Sequence, residues 1–228
     1  MNEISFTTEQ KLMHSFIIKS AKASDDNISL FYGRMGASII FYKYSRRKNN
    51  QAYARYADSL IDKIGANIHN HMPLSLDLGI FGIGWGLEYL IQNRFIDGIG
   101  AEVCEEINQK IMQLDPRRIT DLSLETGLLG LIHYLLIHIR GCKKQNISVV
   151  FDSSFLSEIN ERVLKLYVNN GKNNLIVDIY NTFISTNILD YIPSISFFSN
   201  VGNIIKKDNS IGLSQNQIIN KLIKQDKI

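Results

Sequence analysis

Four acidic side chains are placed where they could act as a pair of catalytic carboxylates. They lie at or near the starts of apolar segments, and they are Asp77, Glu88, Asp121 and Glu125. Glycoside hydrolysis uses two such groups, one as the acid and the other as the base or nucleophile. Asp77 and Asp121 equally suit the first turn of a helix, where a carboxylate caps N–H groups and meets the positive end of the dipole. Glu88 follows Trp85 by three residues, so it either projects into a cavity or satisfies buried polar neighbours.

The histidines do not form a recognisable metal site. His133 and His138 are five residues apart, which on a helix separates their directions by about 140° and prevents chelation from one face. His69 and His71 flank an asparagine, and no cysteine or carboxylate pair nearby completes a set of ligands. We therefore expect polar loop histidines, no metal and no cofactor.

The two cysteines, Cys104 and Cys142, are too few for a disulfide framework and do not form a Cys-x-x-Cys pair. Buried or unreactive thiols in a reducing cytoplasm are expected. The first residues lack the basic and apolar regions of a secretory signal. The most apolar stretch, residues 128–139, is shorter than the roughly 20 residues of a membrane span. These features predict a cytoplasmic protein with no membrane span.

Composition limits the domain count and the class of partner. The 228 residues are 45% hydrophobic, and 25 basic against 22 acidic side chains give a net charge of +3. This length and apolar content predict a single domain over residues 1–228. A charge so balanced does not provide the basic surface of a nucleic-acid-binding protein.

A repeat of about 47 residues organises the chain. Its marker is a Gly-x-x-Gly motif whose first glycines are 46 and 48 residues apart, and the three pairs are Gly33 and Gly36, Gly79 and Gly82, and Gly127 and Gly130. An apolar segment follows each pair, at 37–44, 83–91 and 131–139. A second similar segment, at 59–64, 106–111 and 158–163, is amphipathic. Glycine near a helix costs about 1 kcal/mol relative to alanine, so the matched pairs predict turns that need a positive φ or close helix approach.

Alternating buried and amphipathic helices predict an all-α ring or arc of about four to five helical hairpins. The clear repeats cover residues 29–168, and degenerate repeats cover 169–228. A helix over 8–23 opens the chain. Residues 173–192 fit a fourth inner helix, 193–208 a loop with an outer turn, and 211–223 a degenerate fifth copy. An arc shorter than a ring leaves apolar end faces, which a C-terminal cap or a homodimer would cover.

With these motifs, the chain resembles the lanthionine synthetase C-like family of (α/α) toroid proteins. Gly79-Ile-Phe-Gly82-Ile-Gly-Trp-Gly86 and Gly127-Leu-Leu-Gly130 carry the resemblance, which spans residues 29–168. Members that close thioether rings hold zinc through Trp-Cys-Tyr-Gly and Cys-His segments. Here Trp85 is followed by Gly86, and neither cysteine is followed by histidine. The resemblance thus implies a shortened toroid without the zinc site, and favours a non-catalytic role over an enzyme.

The resemblance further implies a role in bacterial modification of ribosomally made peptides, as a peptide-binding or scaffold component. Its partners would be a precursor peptide and a peptide-modifying enzyme. The expected peptide contacts surround the glycine turns and are Tyr32, Arg34, Phe81, Trp85, Glu88 and Glu125. The alternative is a carbohydrate-active toroid enzyme that uses the inner-helix carboxylates.

Overall fold

The computed structural model describes residues 8–22, 27–69, 71–184 and 187–191, and every regular element in these ranges is helical. The all-α prediction is confirmed for this part of the chain, whereas the toroid arrangement stays a prediction. Short 3-10 turns occur at Pro116–Arg118 and Ile188–Asp190. The α-helices are α1 Thr8–Lys22, α2 Arg34–Lys48, α3 Gln51–Asn67, α4 Ile80–Gln92, α5 Gly100–Val103, α6 Glu105–Ile111, α7 Leu128–Lys144, α8 Ser153–Asn170 and α9 Asn174–Phe183.

The chain divides into two compact units, and the described residues up to Met72 belong to the first. This unit contains α1, α2 and α3. Every residue of α2 from Arg34 to Ser45 is buried, whereas α3 buries only Ala57, Leu60 and Ile64. The predicted amphipathic character of α3 is therefore confirmed, with its charged side chains turned to solvent. The expectation of one domain over residues 1–228 stays a prediction.

The second unit, from Pro73 onwards, contains α4 to α9. Helices α4 and α7 pack against each other and are buried along Ile80–Ile91 and Leu128–Ile139. Helices α6 and α8 expose one face. The same two positions of the amphipathic segment are buried in all three copies. The first position is Leu60 in α3, Ile107 in α6 and Ile159 in α8, and the second is Ile64, Ile111 and Val163. Burial thus alternates between successive helices within the repeat, as helical periodicity requires.

One turn geometry precedes each of the three buried helices. The residue after each first glycine donates its N–H to a carbonyl seven residues earlier, and the three bonds are Arg34 to Asn27 at 3.0 Å, Ile80 to Pro73 at 3.0 Å and Leu128 to Asp121 at 2.9 Å. The glycines occupy the N-cap positions and have no side chain with which to cap the helix. The repeat in the sequence is therefore also a repeat in backbone structure.

Close approach explains these glycines, and the positive-φ explanation is wrong. Their φ angles are −128° at Gly33, −113° at Gly79 and −113° at Gly127, which is extended backbone. A Cβ atom at Gly79 would overlap the Pro73 carbonyl, and one at Gly127 would overlap that of Asp121. The neighbouring backbone belongs to the preceding loop rather than to another helix. Any side chain at these positions would push that loop off the helix.

The end of the described chain departs from the predicted repeat. The predicted inner helix over 173–192 is shortened to α9, Asn174–Phe183, of which only Ile176 and Ile179 are buried. A helix with so few buried positions covers a core from outside. The predictions for residues 193–208 and 211–223 lie outside the described residues. Among the helices described, none has both the length and the apolar character needed to cross a membrane.

Candidate functional site

Glu88 on α4 and His138 on α7 form an ion pair inside the second unit. The Nδ1–H of His138 donates to Glu88 Oε1 over 2.6 Å. The carboxylate is 1% exposed and the imidazole 0% exposed. Removing charges from water costs several kcal/mol per ion unless each is paired and hydrogen-bonded. The surrounding residues must therefore satisfy the remaining polar atoms.

The second carboxylate oxygen of Glu88 is satisfied by an amide one helical turn away. Gln92 Nε2 donates to Glu88 Oε2 at 2.9 Å and to the carbonyl of Ile137 at 2.7 Å. Two glycines make room for the carboxylate, because a Cβ at Gly100 or Gly141 would overlap its oxygens. Gly141 lies inside α7, where glycine costs about 1 kcal/mol relative to alanine. The space for Glu88 is thus obtained at the expense of helix stability.

The other ring nitrogen of His138 faces a thiol and an amide. Its Nε2 is 3.6 Å from Cys142 Sγ and 3.3 Å from Asn108 Nδ2. Tyr134 Oη donates to Asn108 Oδ1 at 2.7 Å. Helix α7 therefore supplies the phenol, imidazole and thiol, each four residues from the next, so that they share one face.

Cys142 and Glu88 together set the charge of His138. Burial alone lowers the pKa of His138, but the hydrogen bonds with Cys142 and Glu88, and attraction to the carboxylate, raise it to about 9. At neutral pH the ring is therefore an imidazolium next to a carboxylate. Its Nε2 is then a donor, and only Cys142 Sγ, or Asn108 with its amide turned to present oxygen, can accept from it.

The two cysteines have different surroundings, although both are buried and unbridged. Cys104 Sγ donates to the carbonyl of Gly84 at 3.9 Å. Burial, followed by the charge of Glu88, raises the pKa of the Cys104 thiol. Cys142 instead contacts an imidazolium. Within the described ranges, no three His, Cys, Asp or Glu side chains are arranged to hold a metal ion.

Four of the six residues expected to contact a peptide are buried. Arg34, Phe81, Trp85 and Glu88 are at most 3% exposed. Phe81 stacks on Tyr134, and Glu88 pairs with His138. A peptide on the surface does not reach these four side chains in this structure, and their role as peptide contacts stays a prediction. Only Tyr32 and Glu125 are exposed.

The predicted acidic caps organise loops rather than capping helices. Asp77 accepts hydrogen bonds from Ser75 Oγ at 2.8 Å and from the N–H of Leu78 at 2.7 Å. Both donors precede α4, whose N-cap is Gly79 without a side-chain bond. The charge of Asp77 therefore stabilises the glycine turn itself.

Asp121 performs the same task in the next turn. It accepts from Thr126 Oγ1 and from the N–H of Ser123, and these bonds, the first above all, lower its pKa. The backbone carbonyl of Glu125 accepts from the N–H groups of Leu76 and Asp77, at 2.8 and 3.2 Å. The turns before α4 and α7 are therefore hydrogen-bonded to each other.

The remaining histidine of α7 lies in a neutral environment. His133 Nδ1 is 2.6 Å from Tyr191 Oη, and Trp85 Nε1 donates to the same oxygen at 3.5 Å. Burial lowers the pKa of His133 to about 4. The loop histidines, His69 and His71, are exposed, as expected for polar loop residues.

Sequence reasoning missed the cluster around Glu88. Its signals were present as i, i+4 pairs, His138 with Cys142 and Glu88 with Gln92, and as an unexplained glycine at position 141. One of the two interpretations of Glu88, as a partner of buried polar groups, agrees with the structure. The sequence did not indicate which histidine it meets.

Comparison with known proteins gives no match, whether with family models, with curated proteins or with solved structures.

Proposed function

We propose that this chain is a zinc-free relative of the lanthionine synthetase C-like proteins that binds a peptide and serves as a scaffold in bacterial peptide modification. In the second unit, the residues before the turn glycines of α4 and α7, Leu78 and Thr126, would contact the peptide, and the buried aromatic residues would not. The shortened toroid of the resemblance is part of this proposal.

The repeated glycine turn is the observation that supports it. Each turn exposes the residue immediately before its first glycine, and these residues are Tyr32, at 37%, Leu78, at 51%, and Thr126. Two are large and apolar, although the helices that follow are buried. Exposed apolar side chains on a hydrogen-bonded frame suit peptide recognition, because little conformational entropy is lost when a rigid surface binds.

Two of the four carboxylates considered for glycoside hydrolysis are not suited to act as its acid. Glu88 is bonded to His138 and Gln92. Asp121 has a lowered pKa, whereas a glycosidase acid needs a raised one. The carbohydrate-active alternative therefore gains no support from these two carboxylates.

Peptide binding is tested with fluorescein-labelled synthetic peptides that cover each short reading frame beside this gene, using fluorescence anisotropy. We expect one to bind, and Leu78→Asp to weaken it on the order of tenfold or more, because central apolar contacts dominate such interfaces. Val168→Asp is the matched control, since Val168 on α8 is 80% exposed and should leave the affinity unchanged. Absence of binding below about 100 µM, or equal effects of the two variants, would overturn the proposal.

Metal analysis tests the zinc-free part separately. Purified chain, dialysed at neutral pH, should contain far less than one zinc per molecule. A tightly held stoichiometric zinc would refute it, because a structural or catalytic zinc site needs several ligands at fixed geometry.

A further inference from the structure

The Glu88 cluster is not used by the proposed peptide-binding role. It places a buried ion pair beside a thiol and requires Gly100 and Gly141 to make room for it. Buried ion pairs seldom stabilise a fold more than apolar residues of similar size would. Strongly perturbed buried groups are instead common at functional sites. A contribution to stability therefore does not explain the cluster, whereas a chemical function would.

The order of the three groups is that of an activated thiol. The carboxylate of Glu88 holds Nδ1 of His138 at 2.6 Å, and Nε2 on the opposite side of the ring is 3.6 Å from Cys142 Sγ. A carboxylate at one nitrogen fixes the ring orientation and stabilises the imidazolium, which in turn stabilises a thiolate at the other nitrogen. Cys104 lacks such a contact.

The loop between α7 and α8, residues 145–152, covers the imidazole of this arrangement with the side chain of Phe151. Phe151 packs its ring on the imidazole of His138, with centroids 5.4 Å apart, and is 4% exposed. Other side chains of the loop, including Asn146, Ser148 and Val150, point to solvent. The loop is anchored at its start, where Gln145 exchanges hydrogen bonds with Gly98 and Gly100. Phe151 is thus a buried side chain of a largely exposed loop, and it contacts the imidazole of His138.

We propose that Cys142, His138 and Glu88 form a masked nucleophilic site that accepts small acyl groups when Phe151 moves off the imidazole. Cys142 and His138 would touch the reacting atoms, and Glu88 is a positioning residue. The thiolate attacks the carbonyl carbon of an ester, a C–S bond forms, and the bond to the leaving oxygen breaks. The imidazolium of His138 gives its Nε2 proton to that oxygen, which leaves a thioester and a neutral ring.

The test uses p-nitrophenyl acetate with the full chain, and it follows nitrophenolate release and the acetylated residue by peptide mapping. Phe151→Ala should raise the acetylation rate of Cys142 on the order of tenfold while Cys104 stays unmodified. Phe41→Ala is the matched control, because Phe41 is an equally buried phenylalanine of the first unit. Equal modification of the two cysteines in Phe151→Ala, or the same acceleration in Phe41→Ala, would overturn the proposal.

Histidine variants in the Phe151→Ala background show whether the faster acetylation comes from activation of the Cys142 thiol by His138 or only from its exposure to the reagent. His138→Gln should abolish the gain, whereas His133→Gln, a buried histidine of the same helix, should keep it. The pH profile decides the matter even if His138→Gln fails to fold. Glu88→Gln in the Phe151→Ala background should move the pH profile of the acetylation rate upward, because the carboxylate that holds the imidazolium in place is lost. An unchanged profile in Glu88→Gln would refute the site.

Discussion

The two histidines of α7 have opposite electrostatic properties although both are buried on the same helix. Burial lowers the pKa of His133 to about 4 beside the neutral phenol of Tyr191. The pKa of His138 is raised to about 9, since hydrogen bonds and the Glu88 carboxylate outweigh the same burial effect. The difference shows that the hydrogen-bonding partners of a core histidine, here Cys142 on the same helix and Glu88 on α4, set its charge, and that burial alone does not.

The largest expected effect comes from removing the carboxylate. Glu88→Ala takes away the partner of a buried imidazolium, and breaking such a pair costs about 3–5 kcal/mol of unfolding free energy. Urea denaturation at neutral pH measures it. Glu105→Ala, at an exposed position of α6, should change the free energy by less than about 0.5 kcal/mol. If the two variants differ by under about 1 kcal/mol, Glu88 and His138 are not an ion pair of the predicted strength.

A smaller effect is expected from filling the space beside the pair. Gly141→Ala would overlap Glu88 and Gln92, which cannot move without breaking their hydrogen bonds. Overpacking of this kind costs about 1–3 kcal/mol. Gly65→Ala on α3 meets no atom within 4 Å and should instead stabilise by about 0.5–1 kcal/mol. Thermal unfolding of both variants measures the two effects. Shifts of the unfolding temperature in the same direction would contradict these expectations.

The smallest effect belongs to the neutral histidine. Tyr191→Phe removes the hydroxyl that lies 2.6 Å from His133, and a neutral hydrogen bond contributes about 1 kcal/mol. Tyr167→Phe, at a partly exposed tyrosine of α8, should cost close to nothing in the same urea titration. A loss at Tyr191 as large as that at Glu88 would mean that His133 also carries charge.

The sequence predicted the helices well because hydrophobic periodicity and a repeated motif act locally. The three buried helices begin directly after the first glycine of each pair, and α3, α6 and α8 bury the expected face. The sequence predicted that the turn glycines allow close approach of another part of the chain. It did not show that this part is the preceding loop.

The Glu88 cluster could not be predicted in the same way. Glu88 and His138 are 50 residues apart and meet only because α4 and α7 pack at one particular register. Charged residues are rarely fully buried. A sequence pattern therefore leads to the prediction that such side chains lie at the protein surface or at a cavity. The exposure of α9 could not be predicted for a similar reason. An apolar pattern predicts a helix, but it does not show how much of the helix surface other elements cover.

A titration of the histidine rings by long-range ¹H–¹⁵N NMR tests the central claim most directly. At pH 7.5 the ring nitrogens of His138 should both have imidazolium shifts, and they should move to neutral values only near pH 9. His133 should stay neutral until the pH approaches 4. Because an unfolded histidine titrates near 6.5, the His138 contribution to stability is complete below that pH and is lost as the pH rises through 9. A neutral His138 at pH 7.5, or two histidines of α7 that titrate together near 6.5, would contradict the account.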